Sequence, residues 1–263
     1  MLHTVRAGSG RRGPNAPAGD ARVVLVHGFT QTHHSWDEVA AALADRFEVV
    51  MVELPGHGGS ASARLDFPAT AAAIADAGGG PATYVGYSMG GRLCLRTALD
   101  TPPGVVTSLV LVGASPGIED PSTRAERRRA DALLADDLAA GDTKAFLDGW
   151  LAQPLFETTT PRPTDLEARR ANPPDGLAYA LRKLGTGTQD PLWDRLPELS
   201  MPVLLVAGER DAKFRALAER MAEAIGPNAR TAWVPGAGHA VPLDQPSACA
   251  DLIERFASSS ATR

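Results

Sequence analysis

The chain has 263 residues, room for one large domain with an insertion or for two small ones, and its 44% hydrophobic content leaves ample material for a core. A formal charge of −5 speaks against general nucleic-acid binding, which needs a basic face, but leaves an acidic small molecule open because clustered arginines can oppose the global sign. No apolar run approaches the roughly 18 residues that cross a membrane.

Taken in chain order, the N-terminal stretch lacks the apolar segment of a secretory signal, so a cytoplasmic protein is expected. Residues 7–20, rich in Gly, Pro and Arg, predict a loop or hairpin tip. Short β-branched runs then predict strands at Val23–Val26, Glu48–Val52, Thr83–Gly86, Ser108–Gly113, Val203–Ala207 and Thr231–Val234, each apolar enough to be buried on both faces. Stripes at helical spacing lie between and after them: Trp36, Val39, Ala40 and Leu43; then Phe214, Leu217, Ala218, Met221 and Ile225; then Cys249, Leu252, Ile253 and Phe256. The alternation implies an α/β fold with a mainly parallel, doubly wound sheet. The rhythm breaks over 117–196, where helices are expected at 122–140, 143–152, 165–170 and 176–184. This stretch reads as a helical cap inserted into a core formed by 1–116 and 197–263. Cys94 and Cys249 fall on apolar helix faces and read as two buried thiols, with a disulfide as the alternative.

Gly86-Tyr87-Ser88-Met89-Gly90 follows a strand and precedes a helix. This is the nucleophile-elbow pattern of α/β-hydrolases: the chain must turn sharply, and small residues flank a serine held in strained backbone. A serine hydroxyl needs a histidine to take its proton, and the histidine needs an orienting acid. In this fold they follow in the order Ser, Asp, His. Asp211 lies just beyond the strand at 203–207 and His239 just beyond that at 231–234, so Ser88, Asp211 and His239 are the candidate triad. Asp211 can also cap the helix that follows it. The oxyanion hole is expected from the backbone N–H groups of Met89 and of Phe29, in Val26-His27-Gly28-Phe29, with the His27 side chain in a structural role. No His, Cys or Asp group shows metal-ligand spacing, and the adjacent His33 and His34 are expected to point apart, so no metal and no cofactor are expected.

Several stretches resemble the 2-succinyl-6-hydroxy-2,4-cyclohexadiene-1-carboxylate (SHCHC) synthase family, lyases of menaquinone biosynthesis on the α/β-hydrolase fold. They are Leu54-Pro55-Gly56-His57-Gly58-Gly59-Ser60; Val85 through Arg92; Arg124-Ala125-Glu126-Arg127; Trp150 with Gln153-Pro154-Leu155-Phe156; and Gly208-Glu209-Arg210-Asp211-Ala212-Lys213-Phe214-Arg215-Ala216-Leu217-Ala218. The first is common among α/β-hydrolases, and the last two arginine-bearing stretches are more specific. The resemblance implies elimination of pyruvate from 2-succinyl-5-enolpyruvyl-6-hydroxy-3-cyclohexene-1-carboxylate, with the Ser–His pair as base. It implies a small-molecule tricarboxylate partner held by Arg92, Arg127 and Arg170, with Tyr87 and Trp150 lining the site and Arg169 as the alternative to Arg170. Guanidinium groups suit the task because they pair with carboxylates in a two-pronged way.

The residues speak to some of these roles on their own. Arg92 lies one turn after Ser88. Arg127 falls on the stripe Arg127, Ala130, Leu134, Leu138. The plainer readings are a salt bridge for Arg92, a snorkelling side chain for Arg127 and core packing with Phe146 and Leu147 for Trp150. Two other functions share the motifs: a carboxylester or C–C hydrolase, which needs no converging arginines, and a ligand-binding protein, which has no need of a complete triad.

Overall fold

The computed structural model describes residues 1–8 and 22–260, and in it the β-branched runs assemble into one seven-stranded sheet. Its strands are β1 (Thr4–Ala7), β2 (Arg22–Val26), β3 (Glu48–Val52), β4 (Ala82–Tyr87), β5 (Val106–Val112), β6 (Val203–Gly208) and β7 (Ala229–Val234), in the order β1-β3-β2-β4-β5-β6-β7. Every pair is parallel except β1 with β3. Strand β1 and the start of β7 escape sequence reading because edge strands carry little of the two-sided apolar signal: Thr4–Ala7 is nowhere fully buried, and Arg230 and Thr231 are exposed. Ala7, assigned by sequence to a loop, belongs to β1. The rest of that expected loop, apart from Gly8, lies outside the described residues.

The inner strands alternate sides residue by residue. Val24, Val26, Val50 and Val52 pack in one core cluster; Val23, Leu25, Val49 and Met51 pack in the other. Helices α2 (Phe67–Gly78), α3 (Met89–Asp100) and α8 (Ala212–Ile225) contribute Ile74, Leu93 and Met221 to the first. Helices α1 (Asp37–Leu43) and α9 (Pro246–Ser260) contribute Leu43 and Ile253 to the second. Cys94 and Cys249 are both free and buried, and they lie in different clusters. Burial pushes both thiols up, Cys249 to about 12, which suits packing rather than reactivity.

Between β5 and β6 lie α4 (Pro121–Ala140), α5 (Thr143–Leu151), α6 (Pro163–Arg170) and α7 (Pro174–Leu184), with no strand among the described residues. Helices α6 and α7 start two residues earlier than expected because each opens on proline, whose missing N–H and preset φ cost nothing in a first turn. Asp120 and Asp142 cap α4 and α5, each accepting a backbone N–H three residues on. Ala135 and Leu138 of α4 meet Leu177, Ala178 and Leu181 of α7 in a small apolar cluster. The buried stripe of α4 runs through Asp131, Ala135 and Leu138, with Ala130 exposed, so the expected stripe was out of phase at that position. No helix of the described residues is long and apolar enough to cross a membrane.

Candidate active site

Strand order reverses between β3 and β4, so the loops after β2 and β4 lie side by side at the C-terminal edge of the sheet. Open α/β sheets place their ligand crevice there. Ser88 sits between β4 and α3 at φ 51° and ψ −110°, a backbone position that side chains rarely occupy. The turn closes only because its neighbours are glycines. A Cβ on Gly90 would stand 2.3 Å from the carbonyl oxygen of Val26, and one on Gly86 would stand 2.5 Å from that of Gly90. Both obstacles are backbone and cannot swing aside.

Three side chains from three loops converge here. His239, after β7, has Nε2 3.2 Å from Ser88 Oγ and Nδ1 2.9 Å from Asp211 Oδ2. Asp211 does two jobs at once: Oδ1 caps α8 by accepting the Phe214 N–H at 3.1 Å, which leaves Oδ2 for the imidazole. His239 and Asp211 are buried, and Phe214 lies against the imidazole with ring centroids 4.5 Å apart. The residue that follows β5, Gly113, must be small to make room, since a Cβ there would stand 2.9 Å from His239 Cε1.

A cavity of about 350 Å³ opens above this trio, and Phe29, Ser88, Met89, Arg92, Arg127, Trp150 and His239 all line it. Arg92 is buried and makes no ion pair among the described residues; it donates to Gln189 Oε1 at 2.9 Å and to the Leu184 carbonyl at 2.7 Å. Burial lowers its pKa to about 10, with nearby Arg127 adding to the effect and Asp131 opposing it, so the guanidinium stays charged at neutral pH. Arg127 donates to Asp131 across one helical turn at 2.7 Å. Trp150 both lines the cavity and packs: it meets Phe29 edge-on at 5.1 Å and stacks on Phe146 at 5.8 Å.

Two residues expected at the site are placed elsewhere. Tyr87 is buried outside the lining, under the Gly28 backbone, where a Cβ on Gly28 would come within 2.7 Å of its ring. Arg170 is also outside the lining; it is 41% exposed and 4.0 Å from Asp148. Helix α6 turns Arg169 inward instead, and one residue's rotation of about 100° then carries Arg170 to the surface. Arg169 does not line the cavity either.

Two cations of α8, Lys213 and Arg220, join the lining although sequence reading passed them over. The spacing Lys213, Leu217, Arg220 is a helical stripe, and that was the available signal. Arg220 is held by Glu119 through two hydrogen bonds of 2.6 and 2.7 Å and lies over the Trp193 ring. Lys213 makes no ion pair among the described residues.

The loops below the cavity depend on neutral histidines. His27 Nε2 accepts the Leu54 N–H and His57 Nε2 accepts the Thr30 N–H, both at 3.1 Å. Burial lowers His27 to about 4 and, with repulsion from His27 adding to it, His57 to about 3. An unfolded imidazole binds its proton near 6.5, so their stabilising effect is complete above that pH and is lost as pH falls toward 4 and 3. Between pH 7.5 and 5.0 we expect a loss on the order of 2 kcal/mol for each. His33 offsets part of it, being raised by its hydrogen bond to Glu53. Urea unfolding at the two pH values checks this, and His57→Gln should flatten the dependence. Equal midpoints at both pH values would count against it.

His33 and His34 do not point apart. Both lie in a 3₁₀ turn with ring centroids 4.0 Å apart, and Asp37 completes a partly exposed group whose candidate ligand atoms fall within 4.8 Å of one another. Each Nδ1 already faces a carboxylate, His33 that of Glu53 at 2.8 Å and His34 that of Asp37 at 2.9 Å.

Residues 23–252 match the alpha/beta hydrolase family. A Bacillus subtilis (strain 168) protein, "Putative 2-succinyl-6-hydroxy-2,4-cyclohexadiene-1-carboxylate synthase", is 34% identical over 97% of this chain and 96% of its own length. An Escherichia coli O1:K1 / APEC protein, 2-succinyl-6-hydroxy-2,4-cyclohexadiene-1-carboxylate synthase, is 32% identical over 86% of this chain and 89% of its own. The structure of MenH from S. aureus superposes with a TM-score of 0.87 at 28% identity, covering 99% of each chain. A thermophilic esterase from Thermogutta terrifontis superposes at 0.76 with 23% identity, a likeness of fold alone.

Proposed function

The chain belongs to the alpha/beta hydrolase family, among the relatives of SHCHC synthase, and from that premise we propose that it eliminates pyruvate from 2-succinyl-5-enolpyruvyl-6-hydroxy-3-cyclohexene-1-carboxylate. The observation that carries this reading is the surplus of positive charge beside Ser88 and His239. Of the cavity cations, Arg220 and Arg127 have carboxylate partners, while Arg92 and Lys213 have none among the described residues. A pocket for a neutral ester gains nothing from Arg92, a buried cation costly to desolvate that has no carboxylate partner among the described residues, or from Lys213 standing unpaired at the exposed rim of the cavity. A tricarboxylate supplies the missing charges.

The names of substrate and product define the bond changes. The product has ring double bonds from carbons 2 and 4, where the substrate has one from carbon 3 and an enolpyruvyl ether on carbon 5. A proton therefore leaves carbon 2, its electron pair forms the 2,3 bond, the 3,4 pair moves to 4,5, and the carbon 5–oxygen bond breaks. The leaving enolate takes a proton and becomes pyruvate. Carbon 2 bears the succinyl carbonyl, so negative charge grows on that oxygen as the proton departs. In this reading Ser88 Oγ, backed by His239, takes the proton, and the N–H groups of Phe29 and Met89 hold the oxygen. Asp211 supports the imidazolium that forms.

The test follows pyruvate release on adding the substrate, with p-nitrophenyl acetate as the comparison. Pyruvate release with negligible ester turnover is expected; brisk ester turnover without pyruvate makes the protein a hydrolase. Charge-assisted contacts contribute about 1.5–3 kcal/mol each, so Arg127→Ala and Lys213→Ala should each raise KM by roughly ten- to hundredfold. Arg92→Ala, nearest Ser88, should lower kcat as well. Arg170→Ala should stay within about twofold of the parent, because Arg170 stands outside the cavity. Unchanged KM in all three cavity variants would remove the polyanion pocket.

A further inference from the structure

Thr30, one residue beyond the expected oxyanion donor Phe29, is held at φ 68°, and with Ser88 it is one of only two non-glycine residues at positive φ among those described. A β-branched side chain resists this conformation, so something must hold it. Thr30 is completely buried, and three side chains grip it from two directions. From the core, His57 Nε2 accepts its N–H at 3.1 Å. The acceptor lone pair is assured, because His57 Nδ1 faces the Pro55 carbonyl at 3.0 Å and must carry the ring proton. From the helical insertion, Asn172 Nδ2 donates to the Thr30 carbonyl at 2.9 Å, and Arg169 Nη1 reaches Thr30 Oγ1 at 3.4 Å.

The two insertion residues are themselves fixed. Asn172 Oδ1 accepts the Gly58 N–H at 2.8 Å, and its carbonyl accepts from Thr143 Oγ1 at 2.7 Å. Arg169 donates through Nε to Asp165 Oδ2 at 2.8 Å, and both residues are buried. Arg169 Nη2 and Asp165 Oδ1 have no partner among the described residues. A buried ion pair left half satisfied contributes little stability for what it costs to desolvate, so its placement against Thr30 calls for another reason. Neither Arg169 nor Asn172 lines the cavity, so neither is available to substrate.

We propose that Arg169 and Asn172 are positioning residues: they lock Thr30 in its left-handed conformation and so aim the Phe29 N–H at the oxyanion formed above Ser88. The oxyanion hole is then complete only while α6 is docked on the loop after β2. Helix α6 belongs to the same insertion as Arg127 and Trp150 of the cavity wall, so the docking of the insertion and the readiness of the site become one event. The inference rests on the reading of Phe29 and Met89 as oxyanion donors, and it holds for ester chemistry as well as for pyruvate elimination.

The test compares Asn172→Ala, Arg169→Met and the conservative Arg169→Lys with the parent. Loss of a well-aimed oxyanion donor costs about 10²- to 10³-fold in kcat, and a loosened one should cost at least about tenfold with KM nearly unchanged. Arg169→Lys should retain most of the rate. The separating variant is Thr30→Gly in the Asn172→Ala background. Glycine adopts positive φ freely, so the double variant should recover much of the lost kcat, which a general packing defect would not allow. A crystal structure of Asn172→Ala gives a readout free of any assumed substrate: Thr30 should leave positive φ and the Phe29 N–H should turn away. If Thr30 keeps φ near 68° there, or if both single variants keep parental kcat, the proposal is overturned. If the parent releases no pyruvate, the elimination reading fails alone, and the crystal structure still decides the clamp.

Discussion

Ser88→Ala should fold normally and lose about 10⁴- to 10⁶-fold in turnover, the scale seen when one member of a nucleophile–base unit is removed. The loss is large because Ser88 Oγ lies 3.2 Å from His239 Nε2 at the cavity wall, so hydroxyl and imidazole act on the reacting proton as one unit. The fold should survive because the turn is set by backbone: the Ser88 N–H donates to the Val112 carbonyl at 2.9 Å, and Gly86, Gly90 and Gly91 leave the space. Alanine keeps a Cβ at φ 51° and so keeps the strain, whereas Ser88→Gly should release it and melt higher than Ser88→Ala. Pyruvate release and thermal melts on the two variants check both halves. Activity near the parental level in a folded Ser88→Ala protein would sink the triad.

Asp211→Asn should cost up to about 10⁴-fold in kcat with little change in stability. The cap explains the stability: an asparagine carbonyl can accept the Phe214 N–H as Asp211 Oδ1 does, so α8 keeps its start. The same bond explains the loss of rate. With its oxygen committed to the cap, the asparagine turns an NH₂ donor toward His239 Nδ1. The imidazole must then accept at Nδ1 and carry its proton on Nε2, so it cannot take one from Ser88. Steady-state pyruvate release and urea unfolding on the same preparation separate the two effects. A folded Asp211→Asn enzyme with parental kcat would transfer the role to another acid. Asp244, whose Oδ2 holds the N–H of Gly238 next to His239 at 2.8 Å, is then the acid to test.

What the residues determined by themselves is local. The five inner strands β2 to β6 were legible because parallel strands buried on both faces are largely apolar, as in Val23–Val26 and Val203–Ala207, while of the edge strand β7 only Thr231–Val234 was read. Ser88 was legible because a sharp strand-to-helix turn demands small residues at fixed offsets, and GYSMG has them. Asp211 and His239 were legible from chain order and strand ends, and the structure brings both within hydrogen-bonding distance of one chain of contacts.

What only the tertiary structure decided depends on where a helix sits rather than on what it contains. Arg169 and Arg170 are chemically identical neighbours, and the docking of α6 against the loop after β2 buries the first and leaves the second at the surface. The phase of α4 was misread at Ala130 because Asp131, a charged residue, takes the buried position in order to hold Arg127. Lys213 and Arg220 line the cavity because α8 runs along its wall; their spacing puts them on one face of the helix but does not say what that face meets. The grip of His57, Arg169 and Asn172 on Thr30 joins residues separated by 27 to 142 positions. Periodicity reports only the side of its own element that is apolar; polar contacts across such separations exist only once the sheet and the insertion have closed on each other.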